Sequence, residues 1–517
     1  MNRRNTQRLA LALALPLALP LACKKEPTAP PPDPVKEAAA KEAAAKEQDR
    51  SKKSEEAAAK RAMLAALPPL PGVEAPKPVK FPAVDAQKLD NGLEVLVLRD
   101  VETPVVSLAL VVKAGEIYAP EGQAMLAGLT SQLLAEGTKK HKKAALDALV
   151  DATGGSTSVD ASSETIVLGA DMLASDLELG LRVLAEESQE PLFPEESLQK
   201  IKDLLKQSVA SEKASPFGLG LRMGRRLIYG EKSPYGRPFA SDAEIDALTR
   251  DQVVAFHQRL FGPQNAMLVI AGDVDPAKAR ALAQKHFGKW KAGEAVAVPR
   301  GEKPAPLDKP VVHIIDRKAS AQATIAVIVP APGIGEPGWL EGKILQATLG
   351  GGLSSRLNQV LREQLGLTYG AAAFHTFGYE GGMFFAGGGT KTKSAGEFTE
   401  ALVDLLKEPG QKGIPADELG RTKSKLSGEF ALEVEGVGVM AQKTIVQRMY
   451  GLPADFWERY RVELEGVSGE ALTAASAALW NQKPLQIIAI GRASKLKDDL
   501  AAFGEIRIYD LDLKRIE

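Results

Sequence analysis

The constraint that bears hardest on this chain is repetition: the order of strand-like and helix-like segments in its first half returns in its second. In the first half the run Val105 to Val112 reads as a buried strand. The stretch from about Gly122 to Leu134 follows, with Leu126, Leu129, Leu133 and Leu134 on one helical face. A further strand-like run spans Asn265 to Gly272. In the second half the strand Ala323 to Val329 corresponds to the one at 105, and the helix from about Trp339 to Leu349 to the one at 122. The strand Leu485 to Gly491 corresponds to the one at 265. The simplest fold with this order is a tandem pair of α+β domains, each of roughly 220 residues. The first is expected over 81–300 and the second over 308–517, joined by the proline-bearing linker Pro299 to Pro310. Asn91-Gly92, set between two apolar runs, predicts a hairpin that opens the first domain. A strand from Glu164 to Ala170 and helices over 177–187, 195–211 and 250–260 complete the outline.

Residues 1–22 read as an export signal. Arg3 and Arg4 precede an apolar run from Leu9 to Ala22 that is too short to span a bilayer. Pro20-Leu21-Ala22-Cys23 resembles a bacterial lipobox, so Cys23 is expected to be lipidated; the alternative is an ordinary cleaved signal with a stray cysteine. Cys23 is the only cysteine, which leaves the exported body without a disulfide or a thiol nucleophile. Residues 23–80 form a Pro/Ala/Lys/Glu-rich tether, with Glu37-Ala38-Ala39-Ala40-Lys41 and Glu42-Ala43-Ala44-Ala45-Lys46 as semi-rigid helical repeats. Lys24 and Lys25 after the cysteine point to the periplasmic face of the outer membrane. The 65 basic and 66 acidic residues nearly cancel, which argues against nucleic acid as a partner.

Several segments resemble the pitrilysin-type (M16, insulinase) zinc peptidases. They are Asn91-Gly92-Leu93, Ala114-Gly115, Glu121-Gly122, Leu126-Ala127 and Glu136-Gly137-Thr138, then Ser233-Pro234-Tyr235-Gly236-Arg237-Pro238, Gly262-Pro263-Gln264-Asn265-Ala266 and Gly272-Asp273-Val274. In the second half the matching segments are Gly350-Gly351-Gly352-Leu353-Ser354-Ser355-Arg356-Leu357 and Leu361-Arg362-Glu363-Gln364-Leu365-Gly366-Leu367-Thr368-Tyr369-Gly370. The resemblance implies two homologous M16-type α+β domains. It also implies an inverted H-x-x-E-H motif whose two histidines share one zinc ion while the glutamate acts as general base. Counting back from Gly137-Thr138 puts that motif on Gly128-Leu129-Thr130-Ser131-Gln132, where Gly128, Ser131 and Gln132 replace all three functional residues. The family's third ligand, a glutamate roughly 75 residues further on, falls near Lys206-Gln207-Ser208-Val209, with Glu212 close by but alone. The five histidines, His141, His257, His286, His313 and His375, show no ligand spacing and read as surface or structural.

What the resemblance implies is retained is the arginine and tyrosine with which a second domain holds substrate and polarises the scissile carbonyl: Arg362 and, seven residues later, Tyr369. Gly350, Gly351 and Gly352 are expected either to form a flexible lip against which peptide backbone binds or to make a simple turn. Two-gene members of the family divide the labour between a zinc-bearing chain and one carrying the arginine and tyrosine. This chain resembles the second kind, with no cofactor of its own, Zn²⁺ in a zinc-bearing M16 partner, and extended peptides as substrates. The rival expectation is a non-enzymatic peptide-binding or scaffolding lipoprotein.

Overall fold

The computed structural model describes residues 81–517; the signal-like segment 1–22, Cys23 and the tether 23–80 lie outside the described residues. Strands β1 (Val84–Lys88) and β2 (Glu94–Arg99) form the hairpin that Asn91-Gly92 predicts, with Lys88 opposite Glu94 and Gly92 at φ 92°. The positive φ is why glycine is placed there. Asn91 also anchors the turn, donating through Nδ2 to the carbonyls of Phe287 and Trp290 at 2.8 and 3.1 Å.

With β3 (Val105–Val112), β4 (Ser156–Ala161), β5 (Ile166–Leu173) and β6 (Ala266–Gly272), this hairpin makes a six-stranded sheet in the order β1-β2-β6-β3-β5-β4. The second half builds β7 (Val311–Asp316), β8 (Gln322–Ala331), β9 (Ala371–Gly378), β10 (Gly381–Lys391), β11 (Gln486–Gly491) and β12 (Glu505–Tyr509). Their order is β12-β7-β11-β8-β10-β9. The strand at 323 thus occupies the place of the one at 105, and the strand at 485 that of the one at 265, as the repetition predicts. Only the outermost strand on one side differs: β1 runs antiparallel to β2, whereas β12 runs parallel to β7.

Each sheet is buried on both faces, which accounts for strands as uniformly apolar as Met267-Leu268-Val269-Ile270-Ala271. One face is covered by the sheet's own helices and the other by a helix from the opposite half. Helix Pro216–Tyr229 lies on β8, β10 and β11, while helix Val437–Met449 lies on β3 and β6. Gly220 and Gly224 make the first crossing close: a Cβ there would stand 3.3 Å from Phe385 and 3.0 Å from Met383. The cores therefore mix, since Ile328, Met383, Phe385 and Ile490 pack with first-half residues while Leu96, Val111 and Val269 pack with second-half ones.

Three details depart from the sequence expectation. The first helix begins at Leu126 rather than near Gly122, because Met125 takes a left-handed conformation at φ 69°. The strand expected from Glu164 begins at Ile166, which leaves Glu164 in the turn after β4. Strand β4 carries no apolar alternation; its sequence, Ser-Thr-Ser-Val-Asp-Ala, is polar and mostly exposed, as befits an edge strand.

Candidate functional site

The helix Leu126–Leu134 carries Gly128, Ser131 and Gln132, the positions onto which the sequence count places the family's motif. The Glu116 carboxylate accepts from the backbone N–H of Met125 at 3.2 Å and of Gly128 at 2.9 Å, so it caps the helix start, where N–H groups and the helix dipole favour a negative charge. Burial pushes this carboxyl up; the two N–H donors and the nearby Arg237 and Arg222 pull it back. A Cβ on Gly128 would meet Leu205 at 3.5 Å, Glu116 at 3.6 Å and Met125 at 3.7 Å. A Cβ on Gly128 would thus make ordinary van der Waals contact with an apolar side chain and a capping carboxylate, and the side chain facing it from the neighbouring helix is a leucine and not a ligand. Ser131 is buried and donates to the Gly128 carbonyl at 2.9 Å, while Gln132 points to solvent. Leu205, on helix Glu195–Ala214, sits beside Gly128, so the segment expected to hold the third ligand supplies a hydrocarbon there. Glu212 is committed to Arg222, which donates through Nε and an η nitrogen at 3.2 and 2.9 Å. The residues present do not fit a zinc ion. Among the described residues no three of His, Cys, Asp and Glu are grouped to hold a metal.

The histidines are occupied structurally. His141 Nδ1 lies 2.8 Å from Glu186, His257 Nε2 2.8 Å from the Ser188 carbonyl, and His375 Nε2 2.8 Å from the Pro332 carbonyl. His313 Nδ1 lies 3.1 Å from the Tyr509 hydroxyl, and His286 is 3.5 Å from Glu178. Burial lowers His257 to about 4 and His313 to about 3, which keeps both rings neutral at physiological pH.

Arg362 and Tyr369 are brought together. Arg362 lies in a π-helical stretch, Asn358–Gln364, a geometry that often marks functional positions. Its guanidinium carbon stands 5.2 Å from the Tyr369 ring centroid, and Nε lies 3.4 Å from Glu363. Tyr369 is 91% exposed. An aromatic side chain that free of packing has little structural reason to be aromatic. The segment behind it is fixed: Asn358 donates to the carbonyls of Gly352 and Ala371 at 3.0 and 2.8 Å and accepts from Ala371 N–H at 3.0 Å. Thr390 donates to the Leu367 carbonyl at 2.7 Å. Of the three glycines beside it, Gly350 ends helix Trp339–Gly350 against β9, and a Cβ there would lie 2.1 Å from the Ala373 nitrogen. At Gly351 a Cβ would strike Ala347. Gly350 is required by helix-to-strand packing and Gly351 by the close of its own helix, while Gly352 is exposed at the surface.

A second polar centre joins the halves. The carboxylate of Glu164 accepts from the hydroxyls of Tyr235 and Tyr450, the latter at 2.5 Å, and from the Tyr379 N–H at 2.8 Å. Burial, with Glu164 beside them, holds both phenols above their usual range. The segment Ser233 to Pro238 proves to be a set of stitches. Ser233 donates to Glu380 at 2.8 Å, Tyr235 to Glu164, and Arg237 to the Glu116 and Ala119 carbonyls at 3.2 and 2.8 Å.

The family model Insulinase (Peptidase family M16) matches residues 94–219, and Peptidase M16 inactive domain matches residues 247–426. The chain belongs to the M16 peptidase family. M16 relatives include an uncharacterized zinc protease of Streptomyces coelicolor, 27% identical over 319 residues that cover 60% of this chain and 68% of that one. Another is the uncharacterized zinc protease YmxG of Bacillus subtilis, 24% identical over 58% of this chain and 72% of its own. Among solved structures, a peptidase M16 inactive domain from Pseudomonas fluorescens superposes with a TM-score of 0.71 at 24% identity, over 79% of this chain and 97% of that one. The periplasmic protease PqqL of Escherichia coli gives 0.69 at 14% identity, over 82% of this chain and 47% of its own. The expected fold, two M16-type α+β domains in tandem, is the one observed.

Proposed function

We propose that this chain is the non-catalytic, substrate-binding subunit of a heterodimeric M16 zinc peptidase that degrades or processes peptides in the bacterial cell envelope. The observation that carries this reading is an asymmetry. The motif helix of the first half is closed by Glu116 and Leu205, whereas the second half presents a stacked, exposed Arg362–Tyr369 pair on a pinned segment. In the pair of chains, Zn²⁺ and the general base belong to the partner. Arg362 and Tyr369 reach substrate held there, and their N–H and O–H groups stabilise charge developing on the scissile carbonyl oxygen. The edge strand β4 packs beside the motif helix and offers a row of backbone groups to an extended peptide. Export by residues 1–22 and a lipid on Cys23 would place the complex in the envelope. Among the described residues no helix is long and apolar enough to cross a membrane.

The test is to mix this chain with the zinc-bearing M16 homologue of the same organism and follow a quenched peptide. Arg362→Ala and Tyr369→Phe are each expected to lower kcat/KM of the mixture by about 10²-fold while leaving assembly intact. Unchanged rates would remove these residues from the reaction and leave the scaffolding lipoprotein as the better reading.

A further inference from the structure

The repeat gives both sheets the same turns at the end where β2 and β7 finish, and the two sets carry opposite charge. In the first half the end of β2 and its turn hold Arg99, Asp100 and Glu102, the turn after β5 holds Asp176, and the turn after β6 holds Asp273 and Asp275. In the second half the turn after β7 holds Arg317 and Lys318, the end of β10 and its turn hold Lys391 and Lys393, and β11 gives way to Arg492 and Lys495.

Hydrogen bonds hold the basic turns together. Arg492 donates through Nε to the Lys318 carbonyl at 3.1 Å, the Arg317 N–H to the Gly491 carbonyl at 2.8 Å, and Thr392 to the Ala321 carbonyl at 3.1 Å. All of these cations are exposed except Arg317, which is half-buried and donates to the Ala214 carbonyl at 2.7 Å. The carboxylate at the end of β7, Asp316, accepts from the Ala493 N–H at 3.0 Å. Glu397, Asp498 and Asp499 stand on the two helices that follow, but among the described residues none of the cations is ion-paired with a carboxylate.

Local structure gives no reason for this charge. Lys391 and Lys393 precede helix Ala395–Lys412, and Arg492 and Lys495 flank the start of helix Ala493–Leu500, where the helix dipole favours an anion. The first half obeys that preference: Asp176 precedes helix Leu177–Gln189, and Asp275 caps helix Pro276–Phe287, accepting from the Lys278 N–H at 2.9 Å. Cations gathered at helix starts also repel one another. They call for an anion from outside the chain.

Their place in the fold says which anion. Strand β9 begins at this end, with Ala371 opposite Gly388, and Tyr369 stands just before it. Thr390, next to Lys391, donates to the Leu367 carbonyl at 2.7 Å and so ties the basic end to the Arg362–Tyr369 segment. From β9 the strands run β10, β8, β11 and β7, so the cations follow the sheet end from about 5 to about 20 Å away from β9, the span of roughly six extended residues. We infer that this end of the second sheet docks acidic stretches of the peptides handled beside Arg362 and Tyr369, and that peptides rich in carboxylates are the favoured substrate class. The inference rests on the peptide-binding role proposed above. Binding is read on this chain alone, so its failure is distinct from a failure of partner-dependent cleavage.

The full-length chain is titrated by fluorescence anisotropy with a short fluorescein-labelled peptide of alternating alanine and glutamate, and with versions carrying glutamine or lysine in place of glutamate. The glutamate peptide is expected to bind saturably, about tenfold more tightly than the glutamine peptide, and to weaken as salt rises; the lysine peptide should not bind. The double changes Lys391→Glu with Lys393→Glu, and Arg492→Glu with Lys495→Glu, should each weaken the glutamate peptide about tenfold and leave the glutamine peptide unchanged. Because both put carboxylates at a helix start, the unfolding temperature should hold or rise, which separates a lost surface from a lost fold. Lys393→Gln with Lys495→Gln repeats the test if a reversed variant does not fold, with a several-fold loss expected. Equal affinity for the glutamate and glutamine peptides, or a glutamate preference untouched by both double changes, would overturn the inference. So would sedimentation with phosphatidylglycerol vesicles that both double changes abolish while the chain shows no preference for the glutamate peptide, since that assigns the cations to a membrane surface.

Discussion

The two halves begin their helical layers alike and use them differently. In the first, the opening turn at Gly128 is closed by a carboxylate and a leucine, and its remaining motif positions are a hydroxyl bonded to its own helix and an exposed amide. In the second, the opening turn borders a cavity lined by Trp339, Phe430 and Tyr460, and the segment beyond the helix displays Arg362 against Tyr369. One frame thus supports a motif helix whose polar groups are bonded to their own surroundings and, in the other half, an exposed arginine–tyrosine pair. The lesson is that the motif positions are best read with their neighbours, since Glu116 caps the helix at Gly128 and Leu205 packs beside it.

The largest expected effect lies at the seam. Glu164→Ala leaves two tyrosine hydroxyls and one amide without their acceptor and should cost about 4 kcal/mol, measured by denaturant unfolding. A loss under about 1 kcal/mol would mean that the halves are held by apolar contact alone. Next comes a buried carboxylate of the first half. Burial pushes Glu187 from 4.5 up to about 8, and its Oε2 has no partner. Because the folded value exceeds the unfolded one, its contribution is complete below pH 4.5 and is lost as pH rises towards 8. Glu187→Gln should therefore raise stability by about 3 kcal/mol at pH 8 and by almost nothing at pH 4.5. Leu405 stands at the same depth in the corresponding helix of the second half, so no such slope is expected from that position. A gain independent of pH would contradict the burial argument.

Smaller again is the cost of restoring the motif. The combined change Gly128→His, Ser131→Glu and Gln132→His should destabilise the protein by about 2 kcal/mol and confer no zinc binding in calorimetry while Leu205 remains. Tight zinc binding by that variant would show that the site is empty rather than filled. Least of all, Tyr369→Phe should change stability by less than about 0.5 kcal/mol, because the ring is 91% exposed. A larger loss would make Tyr369 a structural residue and erase the contrast between the halves.

Much of this was legible in the sequence, and the reasons are local. Apolar runs such as Val105–Val112 and Asn265–Gly272 carry their own strand signal, and the Asn91-Gly92 turn fixes its hairpin. The placement of the zinc motif on Gly128, Ser131 and Gln132 rests on a count from a neighbouring Gly-Thr. What could not be read were pairs set by tertiary contact: Glu164 meets Tyr450 across 286 residues, and Glu116 reaches Gly128 only because Met125 turns left-handed. Asn358, which pins the Arg362 segment, carried no signal beyond its position in that segment. Strand β4 was missed because an edge strand exposed to solvent needs no apolar alternation.

The most direct test compares cleavage of one quenched peptide by three samples: this chain alone, its zinc-bearing M16 homologue alone, and the two mixed, all with zinc present. The expected result is no cleavage by this chain, little by the homologue, and a rate in the mixture that saturates at equal amounts of the two chains. Zinc-dependent cleavage by this chain alone, abolished by a chelator, would contradict the division of labour between the halves.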